Sequence, residues 1–237
     1  MVPNVVLVDQ SAFGTIHFSD DIETGINGWT STGFWHQQDL SSSIANTLVP
    51  TYTSLAPDEG GPQALLPSAA SGTTAWWYGE ASTGTFIGTQ AAGDTPLSGG
   101  RSTAENEGAL TSPSINLSTG VTPMLLFSTW WEIESVNPNS SGFDLLEVQI
   151  STDNGNTFTT IKKLNPYVDP NDSDRAHKPF SSGGFNRKPV WVIEDIDLTD
   201  YVGQTIQIRF NFDTRDALYN GFRGWVIDDV SIIDVSP

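Results

Sequence analysis

Glu147-Val-Gln-Ile-Ser-Thr-Asp-Asn-Gly-Asn-Thr-Phe158 is the stretch that decides the fold class. Glu147, Val148, Gln149 and Ile150 alternate polar and apolar side chains, the pattern of a strand with one buried face. Asp153-Asn154-Gly155-Asn156 then interrupts the alternation with turn chemistry. Asn154 and Gly155 tolerate the positive φ of a tight hairpin turn, and Ser151 and Asp153 can bond turn amides through their side chains. Strand, tight turn and strand predict an antiparallel hairpin.

Outward from this hairpin the same rhythm recurs. Val5–Val8, Thr15–Phe18, Ala75–Tyr78, Met124–Ile133, Leu145–Ser151, Phe158–Leu164, Val190–Ile193, Thr205–Asp213 and Trp225–Ile233 read as strands separated by Gly, Asn, Asp and Pro. No stretch sustains a helical apolar stripe over three turns, and only Leu198–Val202 reads as a helical turn. Many short antiparallel strands predict an all-β chain, an antiparallel β-sandwich with jelly-roll topology. The 237 residues suit a single domain, 1–237, with long polar loops at about 38–72 and 165–189.

Composition excludes several functions. The chain holds 12 Phe, 8 Trp and 5 Tyr, enough aromatic surface for a packed core. Asp and Glu total 28 against 10 Lys and Arg, a net charge of −18 that repels phosphate backbones and anionic membranes. No nucleic-acid partner is therefore expected. No apolar run approaches the roughly 18 residues of a membrane span, so no membrane insertion is expected either. With no cysteine, disulfides and thiolate metal sites are excluded. Met1-Val2-Pro3-Asn4 lacks the basic and apolar regions of a signal peptide, and the chain reads as a module excised from a longer exported protein. The acidity has two readings: solubility in an extracellular or salty medium, or carboxylates gathered around calcium.

Ser151 to Phe158 also matches the spacing of the Asp-box hairpin, which recurs once per blade in sialidase-like propellers; its single occurrence does not support a propeller. Four blocks carry a wider resemblance. They are Phe18-Ser-Asp-Asp-Ile-Glu-Thr-Gly25 with Trp29 and Trp35-His36; Ala75-Trp-Trp-Tyr-Gly79 with Gly108–Leu117; Leu125–Glu134 leading to Phe143-Asp144 and the Asp153 hairpin; and Trp191, Ile196–Gly203 and Gly224–Ile232. In this order the chain resembles the MAM-like jelly rolls of secreted bacterial proteins: the domain beside immune-inhibitor-A-type metalloproteases, the choice-of-anchor modules and the cleaved-adhesin domains. It departs from the vertebrate MAM pattern in having no cysteines, and Ile22 stands where Phe is usual. Such folds serve adhesins, glycan-binding modules and protease accessory domains alike. The resemblance implies a secreted, extracellular or cell-surface location.

It also implies that the first and last strands lie side by side and share one structural calcium. Asp21, Glu23, Asp228 and Asp229 are the ligand candidates by position. The alternative is that these carboxylates cap turns or face solvent. Asp169, Asp172 and Asp174 do not fit an EF-hand loop and read as a solvated loop, with a second ion as the alternative.

Trp76-Trp77 and Trp130-Trp131 are adjacent pairs, so each pair points to both faces of a sheet. One member of each belongs to the core, with Trp29, Trp191 and Trp225. Trp35, Trp77 and Trp131, with His36, Gln37 and Glu132 as polar company, are candidates for a sugar-stacking platform; the alternative is that loops such as 38–72 cover these rings. No His-Glu-x-x-His, Gly-x-Ser-x-Gly or phosphate-loop motif occurs, which leaves a carboxylate-pair glycosidase or lyase drawn from Glu132, Glu134, Asp144 and Glu147 as the remaining catalytic class. The reading is a non-catalytic extracellular module, monomeric in isolation, that binds a glycan; the alternative is a protein-contact or adhesion domain of a protease or surface protein.

Overall fold

The computed structural model describes residues 14–41, 66–94, 100–134, 143–165, 180–182 and 189–235. Among them twelve strands form: β1 (Ile16–Asp20), β2 (Thr30–Ser31), β3 (Trp35–Asp39), β4 (Thr74–Tyr78), β5 (Glu107–Thr111), β6 (Ile115–Asn116), β7 (Pro123–Glu132), β8 (Leu145–Ser151), β9 (Thr159–Lys163), β10 (Val192–Asp197), β11 (Thr205–Asp213) and β12 (Gly224–Asp234). The first sheet runs β10-β7-β12-β4-β3, with β1 also on β12; the second runs β2-β5-β11-β8-β9, with β6 also on β11. Every pairing is antiparallel, and the two sheets make the expected β-sandwich of jelly-roll type.

β8 and β11 run over the residues that their alternation predicts, and a 3-10 turn at Thr199–Tyr201 stands where a helical turn is expected. β2, β3, β5 and β6 escape the sequence reading. β3 is Trp-His-Gln-Gln-Asp and β5 is Glu-Gly-Ala-Leu-Thr, segments whose pairing comes from neighbouring strands and not from their own propensity. Val5–Val8 and most of both long loops lie outside the described residues.

β11 sets the main core. Ile206, Ile208, Phe210 and Phe212 are buried in strict alternation with the half-exposed Gln207, Arg209 and Asn211. Across the sandwich Phe210 meets Phe127 at 5.0 Å, Trp29 at 6.2 Å and Trp225 at 5.8 Å between ring centroids. Each fully buried ring contributes about 1.5–3 kcal/mol of transfer free energy, so this contact anchors one sheet on the other. A second apolar cluster sits on the other face of the first sheet. Trp77, Trp130, Ala75 and Val226 project there under Leu40 and Leu66, with Ala69 and Trp191 packed beside them. The adjacent tryptophans thus divide as alternation requires, Trp76 and Trp131 to the main core and Trp77 and Trp130 to the second cluster.

β12 joins these elements through a bulge. Asp228 pairs with Ser128 and Ser231 with Leu126, so β12 carries one residue more than β7 over this interval. Asp229 takes the positive φ of 50° that the insertion requires. The extra residue flips the side-chain parity: Trp225 and Ile227 before it and Val230 and Ile232 after it all enter the main core. β4 pairs with β12 before the bulge, and β1 pairs after it.

Gly224 opens β12 with φ +86°, and a Cβ there would lie 2.1 Å from the Tyr78 carbonyl oxygen. Neither the backbone conformation nor that contact can relax cheaply. Gly224→Ala is expected to lower stability by about 3 kcal/mol or more, measured from urea-unfolding midpoints.

Candidate functional site

The pairing of β1 with β12 brings the chain's acidic segments together as the resemblance implies. The carboxylates converge on residues 70–74, the strap that leads into β4. Asp228 is fully buried, and its Oδ2 accepts the amides of Ala70 at 2.9 Å and Ser71 at 3.2 Å. Asp229 Oδ1 accepts the Ser71 hydroxyl at 2.6 Å. Glu23 Oε1 accepts the amides of Thr73 at 2.9 Å and Thr74 at 2.7 Å, and its Oε2 accepts the Thr73 hydroxyl at 3.0 Å. Gly72 makes this approach possible, since a Cβ there would stand 2.4 Å from the Glu23 carboxyl carbon. Asp21 is exposed and accepts the Glu23 amide at 3.2 Å. Burial, with Asp229 alongside, pushes Asp228 up to about 7. Burial also acts to raise Glu23, but the Thr73 and Thr74 donors outweigh it and hold the carboxyl below its ordinary value.

Asp20, one residue before the expected ligand set, organises the loop after β1. Its Oδ1 accepts the Ile22 amide at 2.8 Å and the Asn27 amide group at 3.0 Å, and its Oδ2 accepts Trp29 Nε1 at 2.8 Å. Among the described residues no three acidic or histidine side chains lie close enough to hold a metal ion. A cation between Glu23, Asp228 and Asp229 would need main-chain oxygens as well, and would compete with the strap amides for the carboxylates.

The tryptophan platform is corrected. Trp35, Trp77 and Trp131 are exposed by 3%, 0% and 2%, so none presents a face to a sugar. Trp35 Nε1 donates to the Gly108 carbonyl, and its ring packs on Trp225 inside the sandwich. Trp77 Nε1 donates to the Arg223 carbonyl at 2.7 Å under the Leu40 and Leu66 cover. Trp131 belongs to the main core. The alternation does point one ring of each pair away from the core, but chain folds over it. His36 and Gln37 are half-buried on β3; His36 lies against Trp77 at 5.5 Å, and Gln37 Nε2 donates to the Gly25 carbonyl. Trp29 and Trp225 are core residues as expected, whereas Trp191 is half-buried at the edge of the second cluster.

A different surface is polar and partly exposed: the outer face of the second sheet, where Gln149 is buried among half-exposed neighbours. One cross-strand row is Thr30, Thr111, Arg209, Gln149 and Thr160; the next is Ala109, Asn211, Glu147 and Lys163. Arg209 Nε donates to Gln149 Oε1 at 2.6 Å, while its guanidinium carbon lies 3.7 Å over the Phe158 ring centroid. Glu147 Oε2 accepts from Gln149 at 2.8 Å and Thr160 at 3.2 Å, and Lys163 Nζ is 3.5 Å from its Oε1. At the end of this face a cleft of about 260 Å³ opens beside the Asp153 turn, lined by Ser114, Thr152, Asn154, Thr205 and Gln207. The turn is rigid: Asp153 accepts from the Thr157 hydroxyl and amide and the Ser151 hydroxyl, which hold its carboxyl down at about 2. Asn154 and Gly155 take φ of 60° and 82°, as the hairpin chemistry predicts. The period-2 run Gln207, Arg209, Asn211 was the sequence signal for this face; the tryptophan pairs are the more conspicuous feature.

The carboxylates considered for a hydrolytic pair do not reach a cleft. Glu132, Glu134 and Asp144 are exposed by 1%, 4% and 0%. Glu132 is locked to Arg223 Nε at 2.5 Å, and the Arg223 guanidinium also lies 5.0 Å from the Trp130 ring centroid. Glu147 alone of the four stands on the open face, with the partners given above.

No family model matches the chain. Bacillopeptidase F of Bacillus subtilis is 32% identical over 107 residues, a stretch that covers 41% of this chain and 7% of that protein. Among solved structures, a carbohydrate-binding module in complex with beta-1,4-galactotriose aligns over 90% of this chain and 92% of its own, with 13% identity and a TM-score of 0.42. A cleaved adhesin domain of Lys-gingipain from Porphyromonas gingivalis aligns over 94% of this chain and 100% of its own, with 15% identity and a TM-score of 0.46. No helix among the described residues is long and apolar enough to cross a membrane.

Because Trp77 is wholly buried, Trp77→Ala is expected to act as a core truncation. The loss should be about 3–5 kcal/mol in a chemical denaturation series, many times that of a surface ring.

Proposed function

We propose that the chain is a non-catalytic extracellular binding module that takes a neutral oligosaccharide on the outer face of the second sheet. The carrying observation is the Thr111–Arg209–Gln149–Thr160 row with Asn211 and Glu147 beside it. Sugar hydroxyls donate and accept at once, and this face offers guanidinium, amide, hydroxyl and carboxylate groups already held by one another. Groups fixed before binding lose little freedom on binding. The net charge of −18 disfavours sulfated or uronic chains, so the ligand class is neutral. Isothermal titration against neutral and acidic oligosaccharides tests this. Arg209→Ala and Asn211→Ala should each weaken binding by about tenfold or more, equivalent to about 1.4 kcal/mol. Equal binding by wild type and both variants would reject the face.

A second reading rests on the 107-residue likeness to Bacillopeptidase F: a contact domain of a larger secreted peptidase or surface protein. It predicts capture of a protein substrate or neighbouring domain, with no oligosaccharide response in the same titration.

A structural calcium between the chain's two ends belongs to the proposal, with ligands drawn from Asp21, Glu23, Asp228 and Asp229 and completed by main-chain oxygens, since no three of these carboxylates lie close enough in this structure to hold it alone. Its support is that no basic side chain among the described residues pairs with any of the four. A bound ion would add its binding free energy to folding. Excess EDTA should then lower the melting temperature, with recovery on added calcium; a melting curve indifferent to EDTA removes the ion.

A further inference from the structure

Glu134 and Asp144 stand at the two roots of the connection between β7 and β8. Their backbones are latched: the Asp144 amide donates to the Glu134 carbonyl at 3.1 Å, and the Glu134 amide donates to Asp144 Oδ2 at 3.0 Å. Both side chains are at least nine-tenths buried, and Glu134 Oε2 and Asp144 Oδ1 lie inside the protein without a hydrogen-bond partner. The other titratable groups that act on them are Asp213 of β11 and Asp216 just beyond it, and Asp144 in turn acts on Tyr78 of β4. The basic groups at this end are engaged elsewhere, Arg223 with Glu132 at 2.5 Å and Arg215 with Asp213 at 3.3 Å.

A buried carboxylate must be met by donors or by a countercharge. Among the described residues this pair has one main-chain donor between its two side chains, and more acid around it. No three acidic or histidine side chains among the described residues converge to hold a metal in its place. An un-ionised carboxyl removes one charge and provides the missing O–H donor.

We propose that Glu134 and Asp144 retain at least one proton in the folded protein at neutral pH, forming a carboxyl clasp across the roots of the β7–β8 connection that alkali opens. Burial, with Asp216 nearby, pushes Glu134 up to about 8, and burial, with Glu134 nearby, carries Asp144 well above the ordinary range. In the unfolded chain both titrate near their ordinary values of about 4. The folded state therefore binds more protons than the unfolded state above that range. The stability tied to the pair is full below about pH 4 and is lost progressively as pH rises from there through about 8. Asp228 shifts in the same direction, so the comparison must isolate the pair.

Infrared difference spectra of the wild type against the Glu134→Gln/Asp144→Asn double variant test the proton directly. At pH 7 the wild type should show the carbonyl stretch of an un-ionised carboxyl that the double variant lacks. Melting curves provide the second arm: between pH 6 and pH 9 the wild type should lose about 5 °C or more relative to the double variant. If the double variant does not fold, Glu134→Gln alone carries both comparisons. Absence of the carboxyl band overturns the clasp, as does a pH-independent gap between the melting curves. Stabilisation by added calcium of the wild type and not of the variant also overturns it, because the pair would then be a cation site.

Discussion

One extra residue in β12 constrains most of what surrounds it. The bulge at Asp228-Asp229 turns a single strand into two half-strands of opposite parity. The first half offers its free edge to β4 and the second to β1. The strap over residues 70–74 docks where the two neighbours diverge, its amides on the Asp228 carboxylate. That strap in turn leads into β4, and with Leu66 and Ala69 it closes over Trp77 and Trp130. Remove the insertion and Val230 and Ile232 would face the wrong way, because a one-residue slip exchanges the faces of a strand.

The acidity of the chain has a partly internal explanation. Asp20, Asp153, Asp228 and Asp234 each accept two or more donors from turn or strap segments. Asp234 ties the Val121 and Thr122 amides with one oxygen and lies 3.3 Å from His17 with the other. With 10 basic residues available, carboxylates here are matched to backbone N–H groups more often than to side-chain cations. Part of the surplus of acid therefore serves the turn and strap amides of an irregular, loop-rich sandwich.

How much of this was legible in the sequence depends on whether the pattern was local. β8, its Asp153 turn and β11 could be read residue by residue, because alternation and turn chemistry are short-range signals. β3 and β5 could not, because their pairing is imposed by β4 and β11. The tryptophans show the same limit. Alternation correctly sends Trp77 and Trp130 away from the main core, but it cannot say that Leu40 and Leu66, distant in sequence, will cover them. The convergence of Glu23 with Asp228 and Asp229 followed from family resemblance. Most of the hydrogen-bond donors that occupy those carboxylates are main-chain amides, which leave no trace in residue identity; the Ser71 and Thr73 hydroxyls are the side-chain donors.

The pairing of β1 with β12 bears on how such a module responds to load. Ile16 lies opposite Ile233, so a polypeptide enters β1 and leaves β12 at the same corner of the first sheet. Tension drawn through those two strands would pull across their ladder and not along it. The hydrogen bonds would then break in succession, as a zipper opens, instead of resisting together in shear. Asp20 and Val230, at the far end of the same ladder, would be the last to separate.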